Sequence, residues 1–192
     1  MHTIGVSLAV PEPWGSRLQE FRVANGDEQG ATIPTHITLV PPVEVDEQLL
    51  GQVERHLDDV AATTAAYAVH LRGSGTFRPV SPVVFVNLVE GISPTEQLAK
   101  DCRRGPLELQ LDFPYHPHVT VAHIDDDDLL DRAFDELAAF DCSFTVDAFH
   151  LYVHDPDLGW KATHDYALTG DVRWLDATRS QVGLQFRRAL WP

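Results

Sequence analysis

The order of the predicted strands and helices occurs twice along the chain, and this repeat constrains the fold more than any single motif. Strand-like segments begin at Thr3 and Val83, and a later strand-like segment in each half carries a histidine, at His36 and His118. Equivalent positions in the two halves are separated by 80 to 82 residues. A fixed offset of this kind indicates a duplicated supersecondary unit. We therefore expect two β-α-β-α-β units, which a pseudo-twofold axis would relate.

Alternating and helical hydrophobic patterns define the elements of the two units. In the first unit they predict helices that begin near Pro13 and Asp46, and strands at 3–10, 35–40 and 67–72. Proline lacks the N–H that a strand ladder needs, so Pro41 and Pro42 are expected to end the second of these strands. In the second unit the patterns predict strands at 83–90, 118–124 and 144–153, and a final hairpin strand at 161–168.

Two helix starts in the second unit carry capping signals. The segment Ser93-Pro94-Thr95-Glu96 has the form of a capping box, with proline at the first helical position, and predicts a helix that reaches about Arg104. The acidic run at 125–128 supplies a cap and negative charge at the start of the next helix.

The chain length of 192 residues is short for two full-sized domains and sufficient for one hydrophobic core. We expect a single domain over residues 1–192, with a first lobe at about 1–75, a second lobe at about 80–170 and a C-terminal strand or tail at 171–192. Both lobes are expected to contain strands and helices, which excludes an all-α or an all-β domain.

The charge balance is strongly acidic. The chain has 14 Lys and Arg against 29 Asp and Glu, a formal net charge of −15. Such a surface repels polyanions over most of its extent, which argues against a protein that coats long or duplex nucleic acid through phosphate contacts. A small, local anion site remains compatible with this charge, as does a local basic patch around Arg72–Arg78 and Arg187–Arg188.

The remaining composition indicates a reducing, aqueous compartment. The two cysteines, Cys102 and Cys142, have no CxxC spacing, so neither a disulfide framework nor a zinc cluster is predicted. The first residues lack a basic segment, and Pro11 and Pro13 interrupt their apolar stretch, unlike a secretory signal. We expect a cytoplasmic monomer with no membrane segment.

The histidine-bearing strands share the most informative pattern in the sequence. They read His36-Ile37-Thr38-Leu39 and His118-Val119-Thr120-Val121. Residues i and i+2 of a strand point to the same face, so each histidine projects together with its threonine, and the apolar residues project to the other face. If the two strands face one cleft, their two imidazoles and two hydroxyls suit phosphoryl transfer. One imidazole can act as base and the other as acid, and the hydroxyls can donate to phosphate oxygens.

At this point the sequence resembles the 2H phosphoesterase superfamily, which includes the bacterial 2′-5′ RNA ligases and RNA 2′,3′-cyclic phosphodiesterases. The segments HITLV from His36 and PHVTVAH from Pro117 carry the resemblance, and the repeated order of elements extends it over most of the chain. The resemblance implies an α+β fold with two lobes, an antiparallel-rich sheet in each lobe, helices outside, and an active site in the cleft between the sheets.

The resemblance also implies the chemistry. It assigns His36 and His118 as catalytic base and acid, in an order that the sequence leaves open, and Thr38 and Thr120 as phosphate-binding residues. The implied substrate is a small nucleotide or short RNA with a 2′,3′-cyclic phosphate or a 2′-5′ linkage, acted on without metal or cofactor. Hydrolysis and ligation remain alternatives, as does a nucleotide-binding protein of the same fold without catalysis.

Further residues are candidates for substrate contacts. Phe77 and Tyr115 lie near the second motif and could stack on a nucleobase, and Arg78 could hold an additional phosphate. Trp160 is interpreted as sheet packing. His116 is interpreted as a loop histidine, and the less favoured alternative is a metal cluster of His116, His118 and His123.

Overall fold

The computed structural model describes residues 1–171, and within them the backbone forms eight strands and four α-helices. The helices are α1 (Trp14–Ala24), α2 (Leu50–Thr63), α3 (Ile92–Cys102) and α4 (Asp127–Glu136). The strands are β1 (His2–Ala9), β2 (His36–Val45), β3 (Tyr67–Thr76), β4 (Val83–Glu90), β5 (His118–His123), β6 (Asp141–Val146), β7 (Ala148–Asp155) and β8 (Gly159–Ala167). The expected C-terminal strand or tail at 171–192 lies almost entirely outside the described residues.

The strands form two four-stranded sheets in which every pairing is antiparallel. Sheet A has the order β2-β1-β7-β8 and sheet B has the order β5-β4-β3-β6. The histidine-bearing strands β2 and β5 are therefore both edge strands, and each pairs with the first strand of its own repeat. This arrangement confirms the α+β class with two antiparallel sheets.

The sheets do not follow the predicted lobe bounds. The lobe at about 1–75 was expected to contain β3, yet β3 pairs with β4 and β6 in sheet B. The lobe at about 80–170 was expected to contain β7 and β8, yet both belong to sheet A. The repeat holds for β-α-β-α in each half, but the strand after α2 joins the other sheet, so each sheet is built from both halves.

The prediction that two prolines end β2 is wrong. The strand continues to Val45 because β2 lies at the edge of sheet A, where one side of its backbone has no neighbouring strand to bond. The pairing shifts at the prolines: Val40 pairs with Val6 and Val43 pairs with Ile4, so β2 carries one extra residue. A bulge thus accommodates Pro41 and Pro42 within the strand.

The predicted strand at 144–153 is divided between the two sheets. Strand β6 ends at Val146 in sheet B and β7 begins at Ala148 in sheet A, so the chain changes sheets at Asp147. The Asp147 carbonyl accepts a 2.7 Å hydrogen bond from the backbone N–H of Leu168, just beyond β8. Continuous apolar alternation through both strands conceals this change of sheet in the sequence.

The two capping predictions have different outcomes. At α4 the Asp126 carboxylate accepts from the backbone N–H of Leu129 at 3.1 Å, as the acidic run predicts. At α3 no capping box forms, because the helix begins at Ile92, two residues before the predicted Pro94, after a left-handed Gly91 with φ of 83°. A Cβ at Gly91 would approach the Ala68 carbonyl oxygen to 2.6 Å, so the tight turn between β4 and α3 requires glycine.

The hydrophobic core lies behind the motif strands. Ile37, Leu39, Val119 and Val121 are fully buried. Helix α3 of the second half packs against β2 of the first half, and α1 of the first half packs against β5 of the second. Each motif strand is therefore supported by a helix from the other half of the chain.

The buried motif positions should contribute strongly to stability. We expect Val119→Ala to lower the free energy of unfolding by about 1–3 kcal/mol, because it removes two buried methyl groups and leaves a cavity in the hydrophobic core. Urea denaturation followed by circular dichroism measures this change. Val80→Ala is the matched control, because Val80 is 72% exposed and should change stability by less than about 0.5 kcal/mol. Equal effects of the two substitutions would contradict the assignment of this core.

Candidate active site

The two His-x-Thr segments lie on strands that contact each other, β2 from sheet A and β5 from sheet B. Within each segment the side chains alternate as expected. The four polar residues are half-buried, whereas the apolar residues between them are fully buried. The polar residues are His36, Thr38, His118 and Thr120. The alternation of side chains thus directs these four polar residues away from the core. The two edge strands that carry them are in contact.

Both imidazoles are oriented by the same backbone contact. His36 Nδ1 lies 2.6 Å from the carbonyl oxygen of Pro34, and His118 Nδ1 lies 2.7 Å from the carbonyl oxygen of His116. A carbonyl only accepts, so Nδ1–H is the donor in each ring. In the neutral ring the other nitrogen, Nε2, then carries the lone pair, which is the state a general base needs.

The two imidazoles have different neighbours. His36 Nε2 lies 3.1 Å from Thr38 Oγ1, so the threonine hydroxyl donates to the unprotonated nitrogen. The His118 ring packs against the aromatic rings of Phe77 and Phe85, with centroid distances of 4.9 and 5.1 Å. One imidazole is therefore held by a hydrogen bond within its own motif, and the other is held by apolar rings.

The pKa of each site histidine is lower than the ordinary value. Burial is the main cause for both His36 and His118, and the carbonyl hydrogen bond at Nδ1 opposes it by favouring the charged ring. The positive charge of Arg22 lowers the pKa of His36 further, and the charges of His116 and His36 lower that of His118. The action of His36 on His118 couples the two rings, because protonation of one disfavours protonation of the other.

Cross-strand neighbours add polar groups beside the motifs. Ser7 of β1 is paired with Thr38, and Asn87 of β4 is paired with His118. The Asn87 amide donates to the Gly73 carbonyl at 3.2 Å. Sequence reasoning missed both residues, because their proximity to the motifs depends on strand register, which the hydrophobic pattern alone does not specify.

His116 lies in the loop before β5, as predicted, but it also belongs to the site. Its carbonyl orients His118, and its ring stacks on that of His118 at a centroid distance of 6.2 Å. The equivalent carbonyl in the first motif comes from Pro34, also two residues before the histidine. A contact made by the backbone has no side-chain signature, which is why the sequence did not reveal it.

Tyr115 was predicted to contact a nucleobase, but its contacts are internal. Its hydroxyl donates to the backbone carbonyl of Thr38 at 2.6 Å, which links the loop before the second motif to the first motif. The Arg103 guanidinium lies 4.4 Å from the Tyr115 ring centroid and donates to the Leu39 carbonyl at 3.3 Å. We name these two side chains, Arg103 and Tyr115, the β2 clamp. Burial raises the pKa of Tyr115, so the phenol remains a donor.

Arg78 and Phe77 differ in their relation to the site. The Arg78 guanidinium pairs with two carboxylates of α4, Asp127 at 3.1 Å and Asp131 at 2.6 Å, and these pairs do not support the predicted phosphate contact. Phe77 packs against His118, as expected for a residue near the second motif, but it also packs against Phe85 at 4.4 Å. Its role as a base contact stays a prediction.

Residues 1–171 show neither a metal cluster nor a membrane-spanning helix. No group of three or more His, Cys, Asp or Glu side chains in this part of the chain has the geometry to hold a metal ion. Among the described helices, none is long and apolar enough to cross a membrane.

Comparison with known proteins assigns the family. The family model of the 2′-5′ RNA ligase superfamily matches residues 10–158, which include both motifs. The chain belongs to the 2′-5′ RNA ligase superfamily. The resemblance to 2H phosphoesterases found in the sequence is thereby confirmed.

Relatives in this superfamily come from several bacilli. A Bacillus licheniformis protein is 30% identical over 147 residues, which cover 74% of this chain and 85% of that protein. A Bacillus cytotoxicus protein is 28% identical over 146 residues, which cover 74% of this chain and 83% of that protein. Both carry the name "Putative phosphoesterase", so these superfamily members are associated with phosphoester chemistry in general.

Solved structures share the superfamily fold. TT0787 of Thermus thermophilus superposes with a TM-score of 0.64 at 22% identity, covering 88% of this chain and 99% of that one. Escherichia coli LigT complexed with 3′-AMP superposes with a TM-score of 0.57 at 18% identity, covering 88% of this chain and 98% of that one. At these identities the likeness establishes the fold alone.

The β2 clamp should affect catalysis through the position of the first motif. We expect Tyr115→Phe to lower stability by about 1 kcal/mol, because one buried hydrogen bond is lost. The same change should lower kcat several-fold with little effect on KM, because the backbone at Thr38 is no longer held. Urea denaturation measures the change in stability, and steady-state kinetics with a nucleoside 2′,3′-cyclic phosphate measure the change in kcat and KM.

Tyr67→Phe is the matched control for the clamp. The Tyr67 hydroxyl is also half-buried and bonded, at 3.1 Å to Thr95 Oγ1, but this contact lies outside both motifs. Tyr67→Phe should lower stability by a similar amount and leave kcat unchanged. An equal loss of kcat in both variants would assign the effect to general destabilisation.

Proposed function

We propose that this protein is a phosphoesterase that uses His36 and His118, without a metal ion, to open nucleoside 2′,3′-cyclic phosphates or cleave 2′-5′ phosphodiesters. One observation carries the proposal: two imidazoles on contacting edge strands, each with its Nδ1 proton held by a carbonyl two residues earlier. This geometry leaves an Nε2 nitrogen on each ring for proton transfer. Membership in the 2′-5′ RNA ligase superfamily supports the same chemistry.

The reaction with a cyclic phosphate needs one proton acceptor and one proton donor. A neutral imidazole takes a proton from water as the water oxygen bonds to phosphorus, and the protonated imidazole gives a proton to the leaving ribose oxygen as its bond to phosphorus breaks. The product is a phosphomonoester. A 5′-hydroxyl in place of water would form a 2′-5′ linkage by the same exchange, and cleavage of that linkage is the reverse reaction.

Thr38 and Thr120 would bind the non-bridging phosphate oxygens. Each hydroxyl lies on the same face of its strand as the catalytic histidine, and a hydroxyl donates to an oxygen that gains charge in the transition state. The Thr38 hydroxyl bonds to His36 Nε2. Rotation about its side chain would transfer this donor from the imidazole to the phosphate.

A small nucleotide or short RNA end suits the charge of the protein better than long RNA. The net charge is −15. The basic patch considered at 72–78 is also neutralised, since Arg72 pairs with Asp141 and Arg78 pairs with Asp127 and Asp131. Arg187 and Arg188 lie outside the described residues. LigT has been solved with 3′-AMP, ATP and NADP+, which supports nucleotides as ligands of this fold.

Removal of either histidine tests the proposal. We expect His36→Ala and His118→Ala each to lower kcat by about 10²–10⁴-fold, because general acid or base catalysis is lost. The measurement is turnover of the four nucleoside 2′,3′-cyclic phosphates and of 2′-5′ dinucleotides, with protein purified in the presence of chelator. His123→Ala is the control, because this exposed histidine lies at the far end of β5.

Each outcome has a distinct meaning. Retention of full activity in His36→Ala or His118→Ala would show that the active-site assignment is wrong. A similar loss in His123→Ala, with restoration by added metal, would favour a histidine cluster that binds metal. A wild-type protein that binds the nucleotides without turnover would be a binding protein of the same fold.

The pH dependence provides a second test. Catalysis needs one neutral and one protonated imidazole, so kcat/KM should follow a bell-shaped curve. Burial lowers the pKa of both rings in the free protein, which should shift the curve to lower pH, with its alkaline limb below about pH 6.5. Bound anionic phosphate favours the charged ring and should move the limbs of kcat to higher pH. A flat kcat/KM profile from pH 5 to 9, with chemistry rate-limiting, would contradict the paired-histidine mechanism.

A further inference from the structure

A pocket of about 140 Å³ opens directly beside the first motif. His36 and Thr38 form one side of it, and the other sides come from β1, β7, β8 and the loop before β2. A ligand in this pocket would therefore be within reach of a phosphate held at the motif. The residues that line the pocket are distant in sequence, so no local pattern predicts it.

The walls of the pocket are flat and apolar. The Trp160 indole lies over the backbone of Gly5, since a Cβ at that position would be 3.5 Å from indole Cζ3. Pro34 and Pro42 contribute further apolar surface. Trp160 was interpreted from the sequence as sheet packing, but the structure leaves it half-buried with part of its surface on the pocket. Such walls suit a planar ring.

The polar groups of the pocket are neutral hydroxyls. Ser7 and Tyr152 line it and are hydrogen-bonded to each other. Within residues 1–171, no carboxylate, ammonium or guanidinium group lines the pocket. A charged group such as a second phosphate would find no partner there apart from His36, whereas an uncharged ring with polar edges would find both stacking surface and hydrogen-bonding groups.

The other aromatic residues near the motifs are less available. The Tyr115 ring is covered by Arg103, and its hydroxyl is bound to Thr38. Phe77 packs against Phe85 and His118. Among the described residues, Trp160 therefore offers a half-buried indole surface on a pocket that adjoins a motif.

We propose that this pocket binds the nucleobase of the substrate, with the base stacked on Trp160 and its polar edge at Ser7 and Tyr152. The inference rests on the proposed function, in that it names the part of the nucleotide next to the reacting phosphate. A cavity of about 150 Å³ accepts a benzene ring, so a pocket of this size fits one six-membered ring. The preferred substrates are accordingly pyrimidine nucleotides.

The test compares substrates with and without a base. Uridine 2′,3′-cyclic phosphate is compared with the 2,3-cyclic phosphate of methyl β-ribofuranoside, which has the same reacting group and no base. We expect Trp160→Ala to lower kcat/KM for the uridine substrate by about tenfold, the size of one lost base-stacking contact. The same variant should leave kcat/KM for the methyl riboside unchanged.

A second variant fills the pocket instead of opening it. Gly5→Ala adds one methyl group, which would meet Trp160 and the Val40 carbonyl at the ordinary contact distances of 3.5 and 3.6 Å. The fold should tolerate it, and KM for the uridine substrate should rise while turnover of the methyl riboside stays the same. Leu158→Ala is the control for the β7–β8 hairpin, because Leu158 is 63% exposed and does not line the pocket.

The outcomes separate this inference from the proposed function. If both substrates are turned over and neither Trp160→Ala nor Gly5→Ala changes their ratio, the base pocket is wrong while the phosphoesterase proposal stands. A preference for adenosine or guanosine cyclic phosphates would overturn the pyrimidine assignment.

Absence of turnover on every substrate would contradict the proposed function, and calorimetric titration with uridine 3′-phosphate then decides the pocket. Weaker binding to Trp160→Ala than to the wild type would support the base site. Equal binding, or no binding to the wild type, would overturn it.

Discussion

The alternation of side chains along two edge strands is the constraint on which the site depends. Burial of Ile37 and Val119 in the core determines which face of β2 and of β5 the neighbouring histidines occupy. Slippage of either strand by one residue would place imidazole in the core and isoleucine or valine in the site. The hydrophobic effect that stabilises the fold thus also specifies the face of the strand on which the polar motif residues lie.

Hydrogen bonds that cannot be predicted from the sequence orient the motif side chains more finely. The carbonyls of Pro34 and His116 select the tautomer of each imidazole, and the hydroxyl of Tyr115 holds the backbone of Thr38. The two carbonyls each connect the loop before a motif to the histidine ring of that motif. Tyr115 connects the loop before the second motif to the first motif. The environment then differs between the two rings, with a hydroxyl at His36 and aromatic rings at His118. Two equivalent motifs therefore acquire unequal surroundings, which is what a reaction with one base and one acid requires.

The sequence predicted much of the fold because hydrophobic periodicity is a local signal. It located β4 with its observed bounds, and it identified the repeat and the two motif strands. It failed where the outcome depends on sheet pairing. Pro41 and Pro42 are tolerated within β2 because β2 is an edge strand. The change of sheet at Asp147 has no signal in the neighbouring residues. The candidate site shows the same limit: the motif residues were visible, whereas Ser7, Asn87 and the Trp160 pocket required strand register to be recognised.

The exchange of strands between the two halves has a consequence for motion. Because β3 follows α2 into sheet B and β6 is followed by β7 in sheet A, the chain crosses between the sheets more than once. Helices α1 and α3 also pack on motif strands from the opposite half. Domain closure needs a few hinge residues that are free to change their backbone angles, and the helix packing between the two halves opposes a rotation of one sheet against the other. Any ligand that binds between the two motif strands should therefore be accommodated by side-chain rearrangement more than by movement of the sheets.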